Sequence, residues 1–291
     1  MKNYKTLRPF ILVVALAVGL AACGGSEDAA SSDKIEVDAT TTMLADVAAN
    51  ILGDSGDVTA LLPIGASPHD YQASAQQVSE LQTADLVIAN GLELEEGLLD
   101  VLDAARADGA NVLEIGPQVD PIPFVSIVPE DDHEDEHGSD DPHFWLDPQR
   151  VALAAQLIAD ELAAIDPSID WAARADSYTT ELLQADDAIA TMLDSISDRK
   201  LVTNHASFGY FAARYNFEII GVVVPGGSTL ADPSSAELTD LVDTLRREGV
   251  TAIFGDTTEP VTLVDTVAAE IGASVDVVRL YTGSLGEPGS G

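Results

Sequence analysis

Two rhythms alternate along this chain. Short runs of aliphatic and β-branched residues are followed by stretches whose apolar positions recur every three or four residues. Residues 35–41 (IEVDATT) predict a strand, and 43–52 a helix stopped at Gly53. A strand at 57–62 ends at Pro63, a short helix covers 74–81, and 85–89 (DLVIA) reads as a buried strand. A helix at 94–106 and strands at 111–115 and 123–128 complete the first set. Asp147-Pro148 then opens a helical region, with Asp147 as N-cap and Pro148 in the first helical position. One helix covers 151–162. After Asp166-Pro167 a second runs over 169–196, with an apolar stripe from Ala172 to Ile196. Its length, roughly 40 Å, suits a rod between two lobes.

The strand–helix rhythm restarts after this rod. Strands are expected at 200–203, 217–224, 251–254 and 274–280, with helices at 206–215, 234–248 and 260–271 between them. No period of the solenoid kind is present. The pattern predicts an α/β fold class: two lobes, each with a mostly parallel sheet flanked by helices, joined by one long rigid helix. The lobes would be 35–167 and 198–291, with the linking helix at 168–197.

The first residues stand outside this pattern. Lys2, Lys5 and Arg8 precede an apolar run over 10–20, and Leu20-Ala21-Ala22-Cys23 follows. The run is short for a membrane span, which needs roughly 20 residues, and it ends in small residues, so 1–22 is expected to be a signal peptide. Leu20–Cys23 looks like a bacterial lipobox, which makes Cys23 the expected lipid anchor and 23–34 its tether. The expected location is the periplasm or the outer face of the cytoplasmic membrane. Cys23 is the only cysteine, so no intrachain disulfide can form.

Charge narrows the partners. Fifty acids against 13 bases give a net charge of −37. Nucleic acid is excluded as a partner, because phosphate binding needs basic patches. The surplus suits attraction of cations, or solubility at high salt.

The candidate chemistry lies in the five histidines. His69 follows the strand at 57–62, His143 follows the one at 123–128, and His205 lies two residues past the one at 200–203. Asp256 lies two residues past the strand at 251–254. Ligands of open parallel sheets bind beyond the carboxyl ends of the strands. Two facing sheets would put His69 and His143 on one lip, with His205 and Asp256 on the other. Imidazole suits zinc and other late divalent ions, and a carboxylate is a common further ligand. Each residue also has a plain role: His69 in a turn, His205 and Asp256 as helix caps, His143 as a packed edge. His133 and His137 sit among Glu130, Asp131, Asp132, Glu134, Asp135 and Glu136. That stretch is either a weak zinc-collecting loop or a solvated insertion.

These residues fall in longer motifs. Residues 39–46 (ATTTMLAD), 65–71 (GASPHDY), 84–91 (ADLVIANG), 141–148 (DPHFWLDP) and 204–211 (NHASFGYF) occur in this order. In them the chain resembles the cluster A-I solute-binding proteins of bacterial ABC transporters, the zinc- and manganese-binding family. The resemblance covers essentially everything after Lys34. It implies two α/β lobes joined by a long helix, a metal site between them, and delivery to a membrane permease, with the protein expected as a monomer. The family often supplies a fourth ligand, an aspartate, where Gly283 stands here, so the fourth position falls to water or Asp256. Family chains usually continue beyond this point into another helix.

With His205 in the third ligand position and Gly283 in the aspartate position, the expected cargo is Zn2+ rather than Mn2+. Affinity order alone would also admit copper or nickel. Binding is expected to weaken as pH falls through the imidazole range near 6.5. A three-histidine zinc hydrolase is the enzymatic alternative, but no general acid or base accompanies the site. Surface adhesion is compatible with the lipid anchor as a secondary role.

Overall fold

A computed structural model of the chain describes residues 34–124, 140–226, 228–230, 232–272 and 275–290. The expected signal peptide and Cys23 lie outside these residues, as do His133 and His137. Among the described residues no helix is long and apolar enough to cross a membrane.

Two four-stranded sheets carry the fold. The first comprises β1 (Ile35–Ala39), β2 (Gly56–Ala60), β3 (Leu86–Ala89) and β4 (Val112–Glu114), in the order β2-β1-β3-β4. The second comprises β5 (Lys200–Thr203), β6 (Glu218–Val222), β7 (Ala252–Asp256) and β8 (Asp276–Leu280), in the order β6-β5-β7-β8. Every pairing within them is parallel. The two sheets therefore share one topology, although the sequence shows no repeat. Each reverses its winding beside its first strand, between β1 and β3 and between β5 and β7, where parallel sheets open a crevice at their carboxyl ends.

Helices cover the sheets because their apolar stripes match the strand faces. α1 (Thr42–Leu52) starts at Thr41, whose hydroxyl accepts from the Leu44 N–H, and buries Leu44, Val47, Ala48, Ile51 and Leu52. α4 (Pro148–Ile165) begins at the expected cap: Asp147 Oδ1 accepts from Gln149 N at 2.9 Å and Pro148 follows. These helices join Trp171 and Ala175 of α5 (Trp171–Leu193) in one core with Ile35, Val37 and Ile88. α2 (Ala75–Leu81) and α3 (Leu99–Ala107) cover the opposite face, where Leu81, Leu98 and Leu102 meet Leu61, Leu62 and Val87. In the second sheet α7 (Ser235–Glu248) and α8 (Thr262–Ile271) pack on one face, and α6 (Gly209–Tyr215) on the other.

The long helix differs in detail from its expectation. α5 has 23 residues, about 35 Å, and forms a hairpin with α4 rather than standing free. Gln149 bonds to Asp186 and Gln156 to Asp176, so the pair runs antiparallel. α5 still meets both halves. Arg174 donates to Leu52 O at 2.5 Å at the end of α1, and Asp186 receives Arg214 and Tyr215 of α6. The expected strand at 123–128 is described only at Pro123 and Phe124, where Pro123 makes an isolated antiparallel bridge to Asp140 and joins neither sheet. The expected helix at 94–106 starts later, at Leu99, because Gly91, Leu92 and Glu93 all have positive φ and a 3-10 turn intervenes at Glu96–Leu98.

Candidate metal centre

Three loops meet between the carboxyl ends of the two sheets. After β2 the chain stays paired, with Leu61 N–H on Ala39 O and Leu62 N–H on Thr40 O, then turns at Pro63 towards His69. After β5, Asn204 N donates to Phe254 O at 2.9 Å, and the Thr203 hydroxyl donates to His205 O at 2.9 Å. Among the described residues, no strand of the first sheet leads directly into the His143 loop. It hangs from other elements: Asn90, just past β3, donates from Nδ2 to Pro142 O at 3.0 Å, and Asp141 N donates to Ile122 O at 2.7 Å.

His69, His143 and His205 come together although they are far apart in sequence. Their ring centroids lie 5.5, 5.6 and 5.2 Å apart, and one nitrogen from each falls within 4.8 Å of the others. All three are buried, at 2%, 1% and 3% exposure. His69 Nε2, His143 Nε2 and His205 Nδ1 have no hydrogen-bond partner. Buried polar atoms normally have one, so orphaned nitrogens on three neighbouring imidazoles are a costly arrangement for a protein to keep without a ligand. Burial, followed by the neighbouring histidines, holds His205 well below the usual histidine pKa. Burial and His69 do the same to His143, against a small opposing pull from Asp256. Both rings are therefore neutral at neutral pH.

Asp141 fixes the His143 ring. Its Oδ1 accepts from His143 N at 2.9 Å and lies 2.7 Å from His143 Nδ1. An Nδ1–H given to Asp141 leaves the Nε2 lone pair free. Asp141 is fully buried, and burial pushes its carboxyl up to about 8. Its carbonyl receives the Tyr210 hydroxyl of α6 at 2.7 Å. Gly209 makes this packing possible, since a Cβ there would stand 2.3 Å from Asp141 Oδ2. Trp145 lies edge-on to His143, with centroids 5.2 Å apart.

A second buried carboxylate shapes the floor of the first half. Glu95 Oε1 accepts from the Thr40 hydroxyl and from Asn90 N, both at 2.6 Å, and Oε2 accepts from Gly91 N at 3.1 Å. It ties the ends of β1 and β3 together and so positions the Asn90 that carries the His143 loop. Burial raises its pKa, against the hydrogen bonds that hold it down.

Asp256, the last residue of β7, lines the cavity formed by the histidines but lies outside their nitrogen cluster. Both its oxygens are held: Oδ1 accepts from Thr258 N at 2.9 Å, and Oδ2 from the Thr282 hydroxyl at 2.6 Å. Gly283 faces it. A Cβ at 283 would stand 2.9 Å from Asp256 Oδ2, so the carboxylate of Asp256 fills the space that a side chain at 283 would need. The same segment crosses between the halves. Trp145 Nε1 donates to Thr282 O at 2.8 Å, Gly65 N donates to Ser284 Oγ at 2.9 Å, and Leu285 N donates to Thr42 Oγ1 at 2.9 Å.

Glu259 was not singled out in the sequence. It lines the same cavity, half-buried, and burial raises its pKa. Only its spacing from Asp256, three residues along the loop after β7, could have drawn attention to it.

Comparisons with known proteins place the chain in a family. The family model described as zinc-uptake complex component A, periplasmic, matches residues 37–291. The manganese-binding lipoprotein MntA of Halalkalibacterium halodurans is 28% identical over 97% of this chain and 90% of its own length. The manganese ABC transporter substrate-binding lipoprotein PsaA of Streptococcus mitis is also 28% identical, over 99% and 93%. Among solved structures, the periplasmic zinc binding protein TroA from Treponema pallidum superposes with a TM-score of 0.77 at 26% identity, covering 88% of this chain and 92% of that one. A ZnuA deletion mutant with zinc bound gives 0.73 at 27% identity, with 87% and 92% covered.

Proposed function

This chain belongs to the family of the periplasmic zinc-uptake complex component A, and from that membership we propose that it captures zinc outside the cytoplasmic membrane. It is the substrate-binding component of a metal ABC transporter, with a membrane permease as partner, and it is not an enzyme. The proposed ligands are His69, His143 and His205, and Asp256 or a water takes the fourth position. Residues 1–22 act as the signal peptide, Cys23 carries the lipid, and the mature protein works as a monomer in two lobes, 35–167 and 198–291, joined through 168–197.

The observation that supports zinc is the donor set. Three buried imidazoles offer unpartnered nitrogens within 4.8 Å of one another. Three nitrogens and one oxygen make a tetrahedral zinc site, whereas manganese favours oxygen-rich, higher coordination. A cation at His143 Nε2 would also favour ionised Asp141 and the Nδ1–H tautomer that faces it. The names of MntA and PsaA support the alternative, manganese. Competitive titration with both metals separates the two: zinc should bind near one equivalent and outcompete manganese. A triple His→Ala variant at 69, 143 and 205 should lose that binding; undiminished affinity would sink the ligand assignment.

A further inference from the structure

We propose that the segment 282–285 latches the two halves of the molecule across the metal cavity, and that the clasp of Ser284 with Thr42 and Gly65 sets how fast the metal leaves. The proposal rests on the reading of His69, His143 and His205 as metal ligands.

The segment follows β8 of the second sheet, and its partners lie in the first half. Gly283, at its centre, lines the cavity together with the three histidines. A Cβ there would stand 3.4 Å from Pro68 Cδ, so the segment lies close against the loop that carries His69. The residues on either side of Gly283 make the crossing bonds. Thr282 O accepts from the Trp145 indole N–H at 2.8 Å. Ser284 Oγ accepts from Gly65 N at 2.9 Å and lies 3.4 Å from Thr42 Oγ1, which itself accepts from Leu285 N at 2.9 Å. The Ser284 hydroxyl gives its own proton to Leu285 O at 2.9 Å. Thr42 and Ser284 are both buried, so water does not take over these bonds while the halves are together.

Elsewhere the halves are joined by stronger contacts. The Tyr210 hydroxyl of α6 donates to the carbonyl of buried Asp141 at 2.7 Å, and the Asp186 carboxylate of α5 holds Arg214 of α6 at 3.0 Å. A charge-assisted bond is roughly twice as strong as a neutral one, and every bond of the latch is neutral. Separation of the halves therefore starts at 282–285, with α5 and α6 as the pivot. His69 and His143 come from the first half and His205 from the second, so a buried ion held by all three leaves as the halves part. The bonds at Thr42 and Ser284 must break on the way out, and they close after the ion has entered. They act on the off-rate and leave the on-rate alone.

The test uses the full chain and zinc. Zinc-loaded protein is mixed with excess chelating indicator, and the first-order rate of zinc release is followed in wild type, Thr42→Val, Ser284→Ala, the double variant and Thr42→Ser. Thr41 and not Thr42 caps α1, so the changes at 42 leave the start of that helix intact. Release should speed up about tenfold in the double variant, the scale of a pair of buried neutral hydrogen bonds, and by less in each single variant. Thr42→Ser keeps the hydroxyl and should release zinc at the wild-type rate. Zinc-edge X-ray absorption of the double variant should show the same imidazole ligands as wild type. An unchanged release rate in the double variant, or in both single variants, overturns the proposal. So does a rise that Thr42→Ser shares, or one accompanied by loss of an imidazole ligand. Failure of the ligand assignment looks different: His143→Ala would then leave wild-type metal binding intact.

Discussion

Asp141 accepts from the backbone N–H of His143 and lies 2.7 Å from its imidazole Nδ1, so turning that ring means breaking a bond to a fully buried carboxyl group. Asp141→Asn should therefore weaken zinc binding by about 10- to 100-fold in isothermal titration, the usual cost of losing a partner behind a ligating histidine. Burial also changes the pH response expected from the sequence. His143 and His205 titrate well below the ordinary histidine value, so neither is protonated as pH falls through 6.5. Zinc titrations should show that these two ligands keep binding at about pH 6, with their loss setting in at more acidic pH. A midpoint at the ordinary imidazole value, abolished by changing His143 or His205, would contradict this. The three histidines were legible in the sequence because histidine is scarce here, five residues in all, and each sits in a loop. Asp141 and Glu259 were not, because each is one acid among fifty and its role depends on partners the chain brings from elsewhere. Proximity to His143 gave no sign that Asp141 would be buried.

At the scale of elements, α5 meets α4 and α6 at one carboxylate. Asp186 accepts from Arg214 Nε at 3.0 Å, Tyr215 Oη at 2.9 Å and Gln149 Nε2 at 3.2 Å. Burial alone would raise its pKa, but these donors outweigh burial and hold it below the usual carboxylate value. A depressed folded-state pKa contributes stability above the unfolded value, and that contribution is lost as pH falls through the folded one. Asp186→Asn should cost about 3 kcal/mol near neutral pH in denaturant unfolding, because it leaves Arg214 without its charge partner. The gap between variant and wild type should close below about pH 4, where the unfolded carboxylate titrates. Most elements were visible from periodicity and punctuation, as where Asp147-Pro148 opens α4. The late start of α3 was not visible. Leu92 and Glu93 adopt positive φ, which their side chains do not advertise, beside Glu95, whose carboxylate draws Asn90 N and Gly91 N inward. Of the expected strand at 123–128 only Pro123 and Phe124 are described, and Pro123 pairs with Asp140.

The whole molecule is two sheets of one topology, and the candidate ligands come from both. The restarting rhythm predicted the two sheets; their shared strand order is a property of pairing that no local pattern carries. Zinc bound across them should stabilise both halves at once. At a free concentration of about 100 times Kd it should add roughly 2.7 kcal/mol, read as a raised midpoint in calorimetry. His69→Ala or His205→Ala, one from each half, should each remove most of that shift. The segment from Thr282 to Leu285 offers another way to follow the same event. Its first carbonyl receives the indole N–H of Trp145, whose ring stands edge-on to His143. The chain has only one other tryptophan, Trp171, sealed in the first core beneath the Arg174 guanidinium. The protein thus carries its own pair of dyes: one indole at the seam where the halves meet, beside a proposed ligand and placed to report on it, and one deep enough to serve as a steady reference.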